Sequence, residues 1–247
     1  MTDPALEVIG LRKAFGGLAV TQDVSLRVRS GERRLIIGPN GAGKTTLFNQ
    51  ISGDLKPNAG QIKLFGADIT RLSPYDRAQR GLARTYQIIT LFAGDTIEHN
   101  VSLGLLGLRP ARWQMWWSMS HYPDIASEAR RALDAVGLLE LAHHPISDIA
   151  YGERRRVELA VALAQRPRVL LLDEPLAGLS NSERSTIKAL IASIPRDTTV
   201  VMIEHDMDTA LDLAETVTLL NYGRVIVDGQ RDVVVADERT REVYLGT

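Results

Sequence analysis

The period of the apolar positions changes along the chain, and the changes mark out its elements. Near the N-terminus, ALEVIGL and the run Val24-Ser25-Leu26-Arg27-Val28 alternate every second residue, as half-buried strands do. Ser30-Gly31 makes a turn, and Arg34-Leu35-Ile36-Ile37 has the pattern of a short buried strand. Residues 5 to 37 are therefore β-rich. A glycine-rich stretch follows, and LFNQISG after it reads as a helix that stops at Gly53. Residues 57 to 70 carry turn residues and short strands. From about 85 to 150 the texture differs. ASEARRALDAVGLLEL places Ala129, Leu133, Val136 and, past Gly137, Leu141 at helical spacing. This predicts a mainly helical subdomain inserted into an α/β core.

The core then resumes. VELAVALAQ reads as a helix with Val157, Ala160, Val161 and Ala164 on one face, ended by Pro167. Val169-Leu170-Leu171-Leu172 and Val200-Val201-Met202-Ile203 are continuous apolar runs, the pattern of central parallel strands. Residues 216 to 227 predict a hairpin around Asn221-Tyr222-Gly223. No internal repeat and no low-complexity segment is visible.

Composition narrows the class. The chain of 247 residues is 45% hydrophobic and 24% charged, ordinary values for a globular α/β protein. It has no cysteine, which excludes disulfides and a thiolate zinc site. A formal charge of −1 gives no support to an extended nucleic-acid surface. The start MTDPALEVIGLRK lacks the basic and apolar regions of a signal peptide. No stretch approaches the roughly 20 apolar residues of a membrane span. A cytosolic protein that reaches membranes only through partners is expected.

The chemistry is concentrated at strand ends. Gly38-Pro39-Asn40-Gly41-Ala42-Gly43-Lys44-Thr45-Thr46 contains G-x-x-x-x-G-K-[ST] between a strand and a helix. The glycines let backbone N–H groups turn toward phosphate oxygens, and the helix directs its positive end at the same anions. Lys44 then serves the β- and γ-phosphates, and the Thr45 hydroxyl suits Mg²⁺. A second strand ends in Asp173-Glu174-Pro175. Asp173 suits the metal ion and Glu174 a general base acting on water. His205 follows a third strand and reaches the same edge. The other four histidines, 99, 121, 143 and 144, read as surface or packing residues. RPARWQMWWSM puts Trp113, Trp116 and Trp117 at i, i+3, i+4, which fits either a packed face or a docking surface.

In this order these residues resemble the ABC ATPase family over essentially the whole chain. The resemblance implies a P-loop core of mixed sheet, one domain over residues 1–247 with a helical subdomain at about 85–160. It adds a glutamine loop at Gln87, which contacts Mg²⁺ and the attacking water. Phe15 becomes the aromatic that stacks on adenine, Ala177-Gly178-Leu179-Ser180 a loop that crosses a dimer interface, and His205 a switch histidine. The family signature, usually L-S-G-G-Q, falls on Ile149-Ala150-Tyr151-Gly152-Glu153 and opens a helix. Alanine replaces the usual serine at 150 and Glu153 the usual glutamine. Ala150, Tyr151, Gly152 and Glu153 would meet the nucleotide held by a second subunit.

ARTYQIITLF, IEHDM with LNYGRVIVDG, and REVYLGT make the chain similar to ATPases of branched-chain amino acid importers. GERRRVELA and VYLG are also similar to the lipopolysaccharide-export ATPase, and urea and amide systems are near relatives. The resemblance thus implies an ATP- and Mg²⁺-dependent ATPase driving solute import. It would lie at the cytoplasmic face of the inner membrane, paired with a second ATPase subunit, identical or related. Two transmembrane permease subunits complete the assembly, and a solute-binding protein acts indirectly. The signature-like segment argues against a P-loop kinase or GTPase. Neither a second ATPase unit nor a long coiled coil is present, as a DNA- or ribosome-acting clamp would have. Intact Lys44, Asp173 and Glu174 argue against a non-catalytic subunit.

Overall fold

The structure is a computed structural model that describes residues 4–87, 90–109, 122–205 and 210–245. Trp113, Trp116, Trp117 and His121 lie outside these residues.

Among the described residues, two sheets organise the chain. The smaller has the order β2-β1-β4-β5 and is antiparallel: β1 (Pro4–Phe15), β2 (Leu18–Arg29), β4 (Ala59–Leu64) and β5 (Ala67–Asp68). The larger has six strands in the order β10-β9-β3-β8-β7-β6. They are β3 (Arg33–Ile37), β6 (Leu82–Arg84), β7 (Val169–Asp173), β8 (Thr199–Ile203), β9 (Thr216–Asn221) and β10 (Arg224–Gln230). The run from β9 to β6 is parallel, and β10 turns back antiparallel on β9.

Helix α1 (Lys44–Ser52) lies between the sheets. Its Leu47, Phe48 and Ile51 share a core with Leu6, Val24 and Ile62 of the small sheet. Ile36, Leu171 and Val201 of the large sheet close that core from the other side. The opposite side of the large sheet packs Leu35, Leu170 and Met202 against helices α5 (Tyr151–Ala164) and α6 (Asn181–Ser193). Alternate residues of each central strand thus feed different cores, which is why these strands are apolar without alternation. Each fully buried branched side chain contributes about 1.5–3 kcal/mol, so a charge anywhere in those runs would break a core.

A third core joins α3 (Ile97–Leu106), α4 (Pro123–Ala135) and α5 through Ile97, Val101, Ile125, Ala129, Leu133 and Val157. Two details differ from the sequence reading. Helix α4 stops at Ala135: Gly137 adopts φ 68° and Leu141 belongs to a separate 3₁₀ turn. Helix α5 buries two faces. Val157 and Ala160 enter the helical core, while Leu159 and Ala162 enter the core under the large sheet. The one-sided reading missed this because α5 bridges the two bodies.

Candidate active site

The four strands β3, β8, β7 and β6 are neighbours, and each delivers candidate groups at its C-terminal end. The phosphate loop follows β3, His205 follows β8, Asp173 closes β7 with Glu174 next, and Gln87 lies just beyond β6. A parallel sheet gathers groups remote in sequence at this edge, where open α/β sheets bind ligands.

The loop is held by its own backbone and by the β9–β10 hairpin. Gly43 is the N-cap of α1 with φ 99°, and a Cβ there would lie 2.6 Å from the Val20 carbonyl oxygen. Only glycine fits this left-handed position. In the hairpin turn Gly223 has φ 72°; its N–H donates to the Ala42 carbonyl at 2.9 Å, and its carbonyl accepts from Gln22 N–H at 2.7 Å. Helices α2 (Pro74–Gln79), α3 and α6 carry side-chain caps from Ser73, Thr96 and Ser180. Helix α1 has none, and no acidic residue in its first turn. Its leading amides are therefore open to an anion.

Lys44 donates to the carbonyls of Gly38 (2.6 Å) and Pro39 (3.2 Å), which places its ammonium inside the loop. Burial pushes its pKa below the ordinary lysine value, against the opposing pull of Glu174, Asp173 and Glu204. Bound phosphate oxygens would supply further negative charge here. Asn40, Gly41 and Thr45 are exposed, Pro39 and Thr46 half-buried, and Gly38 and Ala42 buried.

Asp173 is 1% exposed. Its Oδ2 accepts from Arg84 Nη2 at 2.7 Å, while Oδ1 is buried with no partner among the described residues. Such an orphaned oxygen calls for an ion or water. Among the described residues no three His, Cys, Asp or Glu groups could hold a metal together. The free carboxylate oxygen of Asp173 and the exposed Thr45 at the start of α1 are donor types that suit Mg²⁺, which keeps waters and leans on substrate phosphates.

Glu174 adopts φ 48°, a left-handed conformation that a non-glycine residue takes only when its surroundings impose it. Its N–H donates to the Ile203 carbonyl at 3.0 Å. Gln87 Nε2 donates to Glu174 Oε2 at 2.9 Å, and His205 Nδ1 lies 4.0 Å from the same oxygen. Water, glutamine, carboxylate and imidazole can therefore share one place. Phe15 ends β1 half-exposed, with Lys13 Nζ 5.4 Å from its ring centre.

The signature-like segment opens α5. Ala150 is the N-cap and has no side-chain oxygen to offer; Glu153 Oε2 accepts from Ala150 N–H at 2.8 Å, half of a capping box. Glu153 is thus engaged structurally, with Arg156 Nη2 at 3.7 Å. Ile149 stands where the usual pattern has leucine and Tyr151 where it has glycine, the larger change. Its ring lies against Gly178, and its hydroxyl accepts from Arg155 Nη2 at 2.9 Å. Gly152 lies against the Glu183 carboxylate, where a Cβ would collide. The Ser180 hydroxyl, the Ser180 N–H and the Gly152 N–H hold the Glu183 carboxyl below its ordinary pKa.

Two arginines were not singled out by sequence. Arg155 of α5, buried, donates to the carbonyls of Tyr86 (3.0 Å) and Gln87 (2.8 Å) and to Glu158 (2.9 Å). It ties the signature helix to the glutamine segment. Arg84 precedes that segment and meets Asp173. Neither arginine carries a periodic signal in the sequence, so only the fold reveals its partners.

The profile of the ABC transporter family matches residues 21–177. The chain is 35% identical to the high-affinity branched-chain amino acid transport ATP-binding protein BraF of Pseudomonas aeruginosa, covering 100% of this chain and 99% of that one. It is also 35% identical to the corresponding protein LivG of Salmonella typhimurium, again over 100% and 99%. An ATP-binding cassette of an ABC transporter solved in its ADP conformation superposes with TM-score 0.89 at 27% identity, each chain fully covered. A nucleotide-free cassette of an ABC transporter gives 0.87 at 26% identity, covering 99% and 100%. Among the described residues no helix is long and apolar enough to cross a membrane. The chain belongs to the ABC transporter family, of which it is an ATP-binding, ATP-hydrolysing subunit.

Proposed function

We propose that this subunit hydrolyses ATP to drive import of branched-chain or other amino acids. The cargo rests on one observation: full-length 35% identity to ATP-binding proteins named for branched-chain amino acid transport. The loop amides and Lys44 bind the phosphates, Phe15 stacks on adenine, and Thr45, Asp173 and Gln87 would hold Mg²⁺. That ion, when bound, neutralises phosphate charge and orients the oxygens. Gln87 and His205 orient a water beside Glu174. Glu174 takes its proton as the water oxygen bonds to the γ-phosphorus and the bond to ADP breaks.

Residues 1–247 form one ATPase domain, with a helical subdomain at about 85–160 built on the separate core of α3, α4 and α5. A second ATPase subunit, identical or related, faces it head to tail, so that each ATP lies between Lys44 of one subunit and Gly152 of the other. The neighbours of Ala150, Gly152 and Glu153 within the chain, Ser182, Glu183 and Thr186, leave this group at an open surface recess. The pair works at the cytoplasmic face of the membrane on two permease subunits, supplied by a solute-binding protein. The test is to tag this chain, purify the assembly from membranes and reconstitute it in vesicles with ATP and the co-purified binding protein. ATP-dependent uptake of labelled leucine, isoleucine or valine is expected. Uptake of urea or an amide, or release of lipopolysaccharide, with no amino acid moved, would overturn the cargo.

A further inference from the structure

The guanidinium of Arg84 is sequestered at the catalytic edge, 5% exposed, against an aspartate that is 1% exposed. A buried ion pair needs good geometry and further hydrogen bonds to offset desolvation; here both Nη atoms find partners, while Nε is buried with none among the described residues. Nη2 is 2.7 Å from Asp173 Oδ2. Nη1 donates the other way, to Asn49 Oδ1 (2.7 Å), Ser52 Oγ (2.9 Å) and Asp54 Oδ2 (3.1 Å). Asn49 and Ser52 belong to the last turn of α1, whose carbonyl end favours a cation. The aromatic rings of Tyr86 and Phe48 lie 4.7 Å and 5.7 Å from its central carbon. Arg84 pairs in register with Leu171, two residues before Asp173 on the neighbouring strand. The main chain is fixed there as well: Thr85 N–H donates to the Leu171 carbonyl at 2.9 Å, and Thr85 Oγ1 lies 3.4 Å from Asp173 N.

We propose that Arg84 is a positioning residue for catalysis: it clamps Oδ2 of Asp173 and leaves Oδ1 as the oxygen that meets the divalent cation of Mg-ATP. The inference rests on the assignment of Asp173 to the cation. The planar fork explains the residue type. One group reaches the strand-end carboxylate and the helix end together, which a lysine ammonium, a single point charge on a flexible stem, does not do with fixed geometry. A carboxylate left to rotate would offer either oxygen and lose orientation, although its charge would be unchanged.

The test uses the full chain and Mn²⁺ as probe, with ATP binding measured first without metal. For Arg84→Lys, metal-free ATP affinity should stay within about twofold, while the Mn²⁺ concentration that half-saturates the protein–ATP complex, read by electron paramagnetic resonance, should rise at least about tenfold. The double variant Asn49→Ala/Ser52→Ala removes the helix-end partners and keeps the Asp173 pair; its Mn²⁺ saturation should match wild type. Metal-free ATP affinity and Mn²⁺ saturation falling together in Arg84→Lys, or an equal Mn²⁺ shift in the double variant, would show ordinary packing and overturn the proposal. Asp173→Asn separates the two layers. If it leaves Mn²⁺ saturation unchanged, the assignment of Asp173 fails. If it shifts saturation and Arg84→Lys does not, the Arg84 inference alone fails. Wild-type crystals soaked in Mn²⁺ and ADP give a check independent of variant folding. Anomalous density beside Oδ1, with Arg84 still on Oδ2, is expected; a cation on Oδ2 with Arg84 displaced would overturn the proposal.

Discussion

The start of α5 sets up a measurement with its control in the same chain. Ala150 caps α5 at φ −65°, ψ 160°, and Ser180 caps α6 at φ −66°, ψ 164°. Both helices have a glutamate three residues on that accepts from the cap N–H at 2.8 Å. Only Ser180 completes the box, its Oγ accepting from Glu183 N–H at 3.4 Å. Ala150 is exposed, so a serine there meets no steric conflict and its Oγ would accept the Glu153 N–H. A serine cap in place of alanine stabilises by about 1 kcal/mol, within a range of about 0.5–2. For a chain of this size that raises Tm by about 2–4 °C. Ala150→Ser should show this gain by scanning calorimetry of the isolated subunit without nucleotide, and Ser180→Ala a loss at least as large. A serine variant melting at or below wild type, with Ser180→Ala melting lower, would refute the reading of Ala150 as a half-built cap. With the head-to-tail pairing proposed above, the new hydroxyl would also offer a donor to the partner's nucleotide in the assembled transporter. Turnover should rise, with ATP binding to the isolated subunit little changed.

Lys44→Ala should weaken ATP binding at least about tenfold by calorimetry, about 1.4 kcal/mol, because a charge-assisted phosphate contact is lost. Gly223→Ala forces a Cβ onto the Val20 carbonyl at positive φ, so the brace on Ala42 should fail; ATP affinity should drop by several-fold although Gly223 lies in the hairpin and outside the phosphate loop. Burial alone would raise the Glu32 pKa, but hydrogen bonds from the Thr216 hydroxyl, the Arg29 N–H and Arg34 outweigh it and hold it below 4.5. Its stabilisation is present above that value and is lost as pH falls through the depressed folded pKa. Glu32→Gln should therefore lower Tm at pH 7 and matter less as the medium is acidified below pH 4.5.

The parts of the site that the sequence exposes are those whose chemistry is local. The phosphate loop needs glycines and a lysine at fixed spacing, and Asp173-Glu174 needs only a buried run before it. The central strands are equally legible, since burial on both faces leaves no alternation. What stays hidden depends on which strands become neighbours. Arg84 reads as one charge in GLARTYQ until β6 pairs with β7 and brings it to Asp173. Arg155 reads as one of three consecutive arginines until α5 turns it toward the Gln87 carbonyl. The second buried face of α5 is hidden for the same reason: Leu159 and Ala162 break the helical stripe because a different core lies on their side. Tyr151 needed only a comparison with the glycine of the usual signature, yet its contact with Gly178 follows from where the start of α5 meets the loop between β7 and α6.

The central claim is that Glu174 activates water at an edge that binds ATP independently of it, and Glu174→Gln tests this most directly. The substitution keeps shape and removes the carboxylate. Single-turnover hydrolysis of γ-labelled ATP should fall at least about 10²-fold while ATP affinity stays within about twofold of wild type. Near-normal hydrolysis in this variant, with ATP bound as tightly as before, would contradict the account.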